Sequence, residues 1–315
     1  MVLSEFLKEW LNDSPTVTVK TSGSTGVPKL IAVEKSRMAA SARITCGFLG
    51  LRQGDSALLC MPLDYIAGKM MVVRSEVCGL RLISVEPSGH PLRGLDEIPD
   101  FAAMTPMQVY NSLREPAECA ALMRIRHLII GGGAIDDDMA ERLRSFPNAV
   151  WSTYGMTETL SHIALRRLSG KGSDNMYTPF DTVGVSLNAD GCLVVDAPSV
   201  CDSPLVTCDI AEIAPDGRRF RIRGRLDNVI NSGGIKIQAE EVERLLRPYI
   251  ASPFMITKRR DEKFGEAVML VIQDSDTAEA ERICGRVLPK YWQPRYYETV
   301  KALPMTETGK VKRLL

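Results

Sequence analysis

The residues best suited to chemistry lie in TSGSTGVPK, at positions 21–29, where hydroxyl, glycine and lysine side chains are concentrated. Backbone N–H groups of such a turn form a concave surface that binds oxyanions, and side-chain hydroxyls add donors. Lys29 supplies a positive charge, so phosphate is the expected ligand. The stretch lacks the GK[ST] ending of a P-loop, and an ordinary turn is the alternative at this point. A helix-like stretch follows, and a helix N-terminus would favour a bound anion.

Two other unusual loops follow strand-like segments. GGG at 131–133 comes directly after HLII, and YGMTET at 154–159 ends the segment that begins AVWST. In sheets of parallel strands, ligands bind beyond the carboxyl ends of the strands. We therefore expect a ligand site where these strands end, at the carboxyl edge of a parallel sheet.

The segments that must position these loops alternate between helix-like and strand-like patterns. Helices are predicted over 4–11, 36–49 and 67–78, and strands over 16–20, 56–62, 127–133 and 149–155. After Lys171 the pattern changes to short strands and turns, and a glycine turn then leads into an amphipathic helix. The alternation predicts an α/β fold with a mainly parallel sheet. We expect a large domain over 1–226 and a small C-terminal α+β domain over 227–315.

Composition narrows the class of protein. Lys plus Arg and Asp plus Glu both number 39, and this balance argues against a nucleic-acid-binding protein. No apolar run approaches the length of a membrane span, and charged residues interrupt the N-terminal stretch where a signal peptide would be apolar. The eight cysteines are scattered without metal-ligand spacing, so we expect reduced, mostly buried thiols in a cytoplasmic protein.

Five segments together resemble the adenylate-forming enzymes, the family of acyl-CoA ligases, luciferases and peptide-synthetase adenylation domains. They follow the family's order along nearly the whole chain, which makes the resemblance highly specific. It implies that ATP and a carboxylic acid form an acyl-adenylate and pyrophosphate, after which the acyl group passes to a thiol, usually coenzyme A. The segments are TSGSTGVPK (21–29), STYGMTET (152–159), VTCDIAEI (206–213), GRLDNVINSGGIKIQAEEVE (224–243) and LPMTETGKVKR (303–313).

The resemblance also implies roles for single residues. Lys310 and Thr157 would act on the reacting carboxylate and α-phosphate, and Glu158 would hold Mg²⁺, a cation that prefers oxygen ligands. Asp209 would accept hydrogen bonds from the ribose, helped by Arg225. The full set expected at ATP is Thr21, Ser22, Gly23, Ser24, Thr25, Gly26, Lys29, Gly131, Gly132, Gly133, Tyr154, Gly155, Asp209 and Arg225.

The C-terminal domain of this family rotates between the two half-reactions, and the resemblance places the hinge at Asp227. Gly233 and Gly234 would leave room for the pantetheine of coenzyme A, and Lys236 would meet one of its phosphates. The family usually carries a further subdomain upstream of the phosphate loop. Because that loop begins at Thr21 here, we expect a compact or N-terminally shortened form.

The acyl substrate is the least determined part of the prediction. STYGMTETLSHIAL and MPLDYIAGKMMVVR resemble the o-succinylbenzoate–CoA ligase branch, which implies Arg74 as partner of the second carboxylate. A surface-directed or ion-paired arginine is the alternative. His162 would line the acyl pocket or pack structurally, and Tyr65 replaces a histidine that often gates the acyl tunnel.

Three wider alternatives stay open at this point. The acid could be another aryl or acyl carboxylate, the acceptor could be a carrier-protein thiol, or the chain could be a truncated ATP-binding protein without activity. A homo-oligomer is compatible with the sequence. The expected partners are therefore small molecules: a carboxylic acid, ATP and coenzyme A.

Overall fold

The computed structural model describes residues 1–20, 30–305 and 311–313. The chain forms two compact units. The first comprises Met1–Val185, Val195–Leu205 and Ala214–Phe220, and the second comprises Ser186–Val194, Val206–Ile213 and Arg221–Leu315. The sequence-based boundary between residues 226 and 227 stays a prediction.

The three helices predicted with bounds, over 4–11, 36–49 and 67–78, agree with the structure to within one residue at each end. Several ends have a clear local cause. α2 and α3 end at Gly50 and Gly79, whose φ values of 65° and 67° are easily adopted by glycine. The helices are α1 Leu3–Leu11, α2 Lys35–Leu49, α3 Ile66–Cys78, α4 Pro106–Ser112, α5 Pro116–Leu122, α6 Asp137–Arg144, α7 Ala239–Leu246 and α8 Thr277–Val287. Among the described residues, no helix combines the length and apolar character that crossing a bilayer requires.

The strands are mostly four to six residues long. They are β1 Thr16–Lys20, β2 Leu30–Glu34, β3 Ser56–Leu59, β4 Arg81–Ser84, β5 Phe101–Met104, β6 His127–Ile130, β7 Ala149–Gly155, β8 His162–Arg167, β9 Thr178–Pro179, β10 Gly184–Leu187, β11 Cys192–Asp196, β12 Leu205–Ile213, β13 Phe220–Arg225, β14 Val229–Ser232, β15 Ile235–Gln238, β16 Phe254–Asp261, β17 Gly265–Gln273 and β18 Tyr296–Val300.

The largest sheet has seven strands in the order β4-β3-β5-β6-β7-β8-β9. Strands β4 to β7 pair in parallel, and β8 and β9 are added antiparallel. The strands β3, β5 and β6 are almost entirely buried, which is characteristic of parallel strands covered on both faces. This sheet confirms the predicted α/β class.

One local prediction is wrong. The stretch after residue 29 begins with a strand rather than a helix, since β2 pairs antiparallel with β1 from Thr16↔Glu34 to Lys20↔Leu30. The two strands form a separate sheet, so β1 does not belong to the parallel sheet. Pairing with a preceding strand decides the structure here, and α2 begins only at Lys35.

The core of the first unit lies between its sheet and helices. Leu58, Met104 and Ile130 from β3, β5 and β6 belong to the same apolar cluster as residues of α4, α5 and α6, such as Leu122 and Leu143. The Asp136 side chain accepts a hydrogen bond from Met139 N at 2.7 Å and caps α6, whose first turn also carries Asp137 and Asp138. All eight cysteines are described as free thiols, five of them buried.

The second unit has its own core and a sheet in the order β15-β14-β17-β16, with β18 pairing parallel to β17. Ile237, Val242 and Leu246 of the β15–α7 segment pack with Ile256 and Leu270 of the paired strands β16 and β17. A further four-stranded sheet has the order β10-β11-β12-β13.

Candidate functional site

Two of the predicted nucleotide loops leave the same edge of the seven-stranded sheet. Residues 131–133 follow β6, residues 156–159 follow β7, and these strands are parallel neighbours. The other predicted phosphate-binding stretch lies outside the described residues, and so does Lys310. The residues concerned are Thr21, Ser22, Gly23, Ser24, Thr25, Gly26 and Lys29.

Two of the three glycines after β6 have a local structural reason. A side chain at Gly131 would collide with the Thr153 hydroxyl, and Gly132 has a φ of 83°. At Gly133 a Cβ would make an ordinary contact with the Pro106 ring, at 3.4 Å. The turn therefore keeps an uncovered backbone at the edge of the sheet, as required for a flat ligand that approaches closely.

The segment after β7 forms a 3₁₀ turn over Thr157–Thr159. Thr159 Oγ1 accepts a hydrogen bond from Met156 N at 2.9 Å and fixes the turn. Thr157 is buried, whereas Glu158 is exposed. The described residues contain no cluster of three or more metal-ligating side chains. The assignment of Glu158 to Mg²⁺ stays a prediction.

Tyr154 belongs to an aromatic group rather than standing alone. Its ring lies 5.2 Å from the Phe220 ring in an edge-to-face arrangement and 5.8 Å from the Tyr177 ring. Tyr177 and Phe220 stack on each other at 5.5 Å. This packing fixes the orientation of the Tyr154 ring. A side chain that contacts a base needs such a fixed orientation.

Gly155 is a packing position. A Cβ there would lie 2.5 Å from His162 Cα and 2.9 Å from His162 N. The glycine therefore allows the backbone at residues 161 and 162 to approach the end of β7. The sequence resemblance assigns Gly155 to ATP, and the structure adds this second reason for its presence.

We expect Gly155→Ala to destabilise the protein by about 1–3 kcal/mol, because the added methyl group overpacks against backbone atoms that cannot move alone. Chemical denaturation measures the change. Gly172→Ala is the matched control, since nothing lies within 4 Å of its Cβ position. Equal losses in both variants would contradict the packing role.

The most unusual charge in the first unit is Arg74. It lies in α3 and is 2% exposed. Its Nη2 donates to Ser161 Oγ at 2.5 Å, whereas its Nε is buried without a hydrogen-bond partner. Within the described part of the chain, no carboxylate forms an ion pair with it. Burial excludes the surface-directed alternative, and the unused Nε–H of this buried cation is a donor available to a further acceptor.

His162 is adjacent to this arginine. Its ring is 5.6 Å from the Phe180 ring, and its Nδ1 and Nε2 lie 3.2 Å from Ser161 Oγ and Thr45 Oγ1. Burial, and secondarily the charge of Arg74, lowers the pKa of His162 well below its usual value, so the ring is neutral at neutral pH. Burial also lowers the pKa of Arg74 to about 10, which leaves it protonated.

Tyr65 occupies the N-cap position of α3 and is half-buried. It forms an isolated parallel bridge with Lys20, whose Nζ lies 6.0 Å from the centre of the tyrosine ring. Lys20 is the last described residue before the predicted phosphate loop. The assignment of Tyr65 to the acyl site stays a prediction.

The second unit brings three predicted residues together. Arg225 donates from Nη1 to Asp209 Oδ1 at 3.2 Å and from Nη2 to Asp227 Oδ2 at 2.7 Å. Burial alone would lower the pKa of Arg225, but the Asp227 and Asp209 carboxylates outweigh it and raise that pKa. Arg225 thus links the predicted ribose ligand to the predicted hinge residue.

Gly233 and Gly234 form the two-residue turn of the β14–β15 hairpin, with φ values of 59° and 86°. Consecutive positive φ angles favour glycine at both positions. A side chain at Gly233 would also meet the Phe264 ring at 2.8 Å. Lys236 is exposed on β15. The turn therefore has a local structural reason beside the predicted contact with coenzyme A.

Arg313 anchors the C-terminal segment to the second unit. Its Nη2 donates to Glu243 Oε2 at 2.6 Å, and its Nε donates to Ile256 O at 3.1 Å. Glu243 is 7% exposed and also accepts from Ile256 N at 2.8 Å. Met305 and Val311 pair with each other as an antiparallel bridge.

Ser161, which contacts Arg74, and Thr45, which contacts His162, are polar residues that the sequence analysis missed. They lie 87 and 117 positions from Arg74 and His162, their respective partners. The only sequence signal is a serine next to His162 in a segment already assigned to the site.

Comparison with known proteins agrees with this arrangement. The family described as AMP-binding enzyme matches residues 7–204. An AMP-forming acyl-CoA synthetase/AMP-acid ligase II-like protein from Dyadobacter fermentans is 34% identical, with a TM-score of 0.68 over 98% of this chain and 90% of its own.

Two further relatives share a named activity. A 2-succinylbenzoate–CoA ligase from Listeria monocytogenes is 25% identical over 98% of this chain and 71% of its own length. An o-succinylbenzoate CoA synthetase from Bacillus subtilis, solved with the acyl-adenylate intermediate, is 22% identical. Its TM-score is 0.79 over 94% of this chain and 67% of that chain, which indicates a shared fold.

Proposed function

Because this chain belongs to the AMP-binding enzyme family and is an AMP-forming acid–thiol ligase, we propose that it activates o-succinylbenzoate and transfers the acyl group to coenzyme A. The observation that carries the substrate assignment is Arg74, a buried cation without a carboxylate partner among the described residues. o-Succinylbenzoate has two carboxylates, and only the aliphatic one reacts. The aromatic carboxylate would complete the hydrogen bonding of Arg74, since a buried charge needs a partner.

In the first half-reaction, an oxygen of the aliphatic carboxylate attacks the α-phosphorus of ATP. The bond between the α-phosphorus and the β-bridging oxygen breaks, and pyrophosphate leaves with the electron pair. Both reactants are anions, so positively charged groups and hydrogen-bond donors must offset their repulsion. We assign Lys310 and Thr157 to this task, and Glu158 to Mg²⁺, which supplies positive charge at the phosphates.

In the second half-reaction, the thiol of coenzyme A attacks the acyl carbon after losing its proton. The bond from this carbon to the AMP oxygen breaks, and the thioester and AMP are released. We assign Gly233, Gly234 and Lys236 to coenzyme A, and Asp227 to the hinge of the C-terminal domain over 227–315. ATP and Mg²⁺ are also bound by one Bacillus subtilis relative of this fold.

For the nucleotide itself, the aromatic group at Tyr154 and the uncovered turn at Gly131–Gly133 support contact with adenine. Asp209 is held by Arg225, which orients its carboxylate for two ribose hydroxyls. A carboxylate positioned by a partly buried arginine is a stronger acceptor site than a freely rotating one, because less conformational entropy is lost on binding.

Oxygen labelling tests this function directly. When the succinyl carboxylate carries ¹⁸O, the proposed route transfers one labelled oxygen to AMP, because that oxygen bridges carbon and phosphorus in the adenylate. Label in the aromatic carboxylate should remain in the thioester. Unlabelled AMP would contradict adenylation of this group. Label transfer from another aryl or acyl acid alone would retain the ligase class and overturn the substrate.

A further inference from the structure

A chain of hydrogen bonds runs from Arg74 into the protein. Arg74 Nη2 contacts Ser161 Oγ at 2.5 Å, and Ser161 Oγ lies 3.2 Å from His162 Nδ1. His162 Nε2 lies 3.2 Å from Thr45 Oγ1, which donates to Ser41 O at 3.1 Å. Arg74, His162 and Thr45 are 2%, 7% and 0% exposed.

The donor and the acceptor of each hydrogen bond in this series follow from the hydrogen bond between Thr45 and Ser41 O. Thr45 has one hydroxyl proton, which it donates to Ser41 O, so it must accept from His162 Nε2–H. The ring is neutral, which leaves Nδ1 as an acceptor for the Ser161 hydroxyl proton. Ser161 Oγ then has only lone pairs to offer and accepts from Arg74.

The backbone conformation at residues 160 and 161 fixes the position of Ser161. Leu160, although not a glycine, has a φ of 62° and is 4% exposed. Ser161 O accepts from Thr159 Oγ1 at 2.7 Å, and Gly155 allows this backbone to approach β7. A non-glycine residue in this conformation is strained and persists only when its surroundings determine it. Such strain is concentrated where a side chain must be held in one position.

We infer that Ser161 and His162 are positioning residues that aim Arg74 at the second carboxylate of the substrate and so set the preference for a dicarboxylic acid. The inference rests on the proposed function, because it assigns a ligand to Arg74. Ser161 occupies one N–H of the guanidinium and fixes its plane. The unpartnered Nε and the other donors are left for a carboxylate, which arginine binds through two parallel hydrogen bonds.

The kinetic test compares o-succinylbenzoate with benzoylpropionate, which lacks the aromatic carboxylate. The ratio of their kcat/KM values measures the preference for the dicarboxylic acid, because a general loss of activity in a variant lowers both values equally. We expect Ser161→Ala to lower this ratio about tenfold, because a charge-assisted hydrogen bond that orients Arg74 is lost. Ser75→Ala is the matched control: Ser75 follows Arg74 on α3, but its hydroxyl donates to Met71 O at 3.1 Å.

The two variants at His162 separate packing from hydrogen bonding. His162→Phe keeps a ring against Phe180 and removes the acceptor for Ser161, so the ratio should fall by about threefold or more. His162→Asn keeps an acceptor near the Nδ1 position and should restore most of the ratio. If Ser161→Ala and His162→Phe reduce both acids equally, these residues are structural and the inference is wrong.

The wild-type protein offers a readout that needs no substrate. Nitrogen-15 NMR distinguishes the two neutral tautomers and the imidazolium of each of the three histidines, and His162→Asn assigns one signal set. We expect the Nε2–H tautomer at neutral pH. An Nδ1–H tautomer or an imidazolium would overturn the directed chain. If the enzyme uses other acids but not o-succinylbenzoate, the proposed substrate fails, while the tautomer still decides whether the chain exists.

Discussion

Replacing Arg74 with alanine is expected to lower kcat/KM for o-succinylbenzoate about tenfold to a hundredfold more than for benzoylpropionate. The range corresponds to the loss of one charge-assisted contact, about 1.5–3 kcal/mol. The physical reason is the isolation of this side chain: it is 2% exposed, and its Nε has no partner. A second carboxylate on the proposed substrate would supply the acceptor that the described protein groups do not.

Lys69→Met is the matched control for this comparison. Lys69 is another buried cation on α3, but it already has a carboxylate partner, since its Nζ lies 3.6 Å from Glu9 Oε2. It also lies 4.6 Å from the centre of the Phe6 ring. Its removal should therefore affect the two acids to the same extent. If Arg74→Ala does likewise, Arg74 serves stability and the dicarboxylate assignment loses its support.

Replacing Arg313 with methionine is expected to destabilise the second unit by about 3 kcal/mol, because it leaves the buried Glu243 carboxylate without its ion-pair partner. The contact is short, at 2.6 Å, and Glu243 is buried. Hydrogen exchange of α7 and β16 amides measures this unit separately from the first. We also expect slower adenylation, because Arg313 lies three positions from Lys310, which we propose acts in that step.

The pH dependence of this loss has a definite sign. Burial raises the pKa of Glu243 above its usual value, and Arg313 partly opposes that shift. Without Arg313 the pKa rises further, so the folded state binds a proton more tightly than the unfolded state does. The destabilisation is therefore complete above the folded-state pKa and shrinks as the pH falls toward the unfolded-state value.

The control replaces both members of the pair. Glu243→Gln combined with Arg313→Met removes the unpaired charge, keeps a donor and an acceptor at residue 243, and should recover most of the lost stability. Recovery on acidification of the single variant, but not of the double variant, would assign the effect to the carboxylate. A single variant as stable as the wild type would show that the ion pair does not hold this segment.

The sequence was most informative where structure is local. The helices at 35–49 and 66–78 end at Gly50 and Gly79, which have positive φ values. A glycine after a helical pattern is a stop signal that can be recognised in the sequence. The helix cap at Asp136 follows from an acidic run at a helix start. These features depend on neighbours within one turn, so pattern and residue type suffice to predict them.

Prediction failed where distant partners decide the conformation. Leu30–Glu34 is a strand because it pairs with Thr16–Lys20, a contact that helix periodicity in the following segment concealed. Ser161 and Thr45 matter because residues 87 and 117 positions away meet them, and no local pattern reports such a contact. Family resemblance located Arg74, but only the fold shows that it is buried and short of an acceptor.

The central claim is that this ligase forms an adenylate from o-succinylbenzoate, and pyrophosphate release tests it most directly. Purified protein is incubated with ATP, Mg²⁺ and each member of a panel of acids that includes o-succinylbenzoate, benzoylpropionate, other aryl acids and aliphatic acids. We expect pyrophosphate release to depend on the acid and to be most efficient, in kcat/KM, with o-succinylbenzoate. Release with another acid of the panel and none with o-succinylbenzoate would contradict the substrate assignment, and no release with any acid would contradict the activity itself.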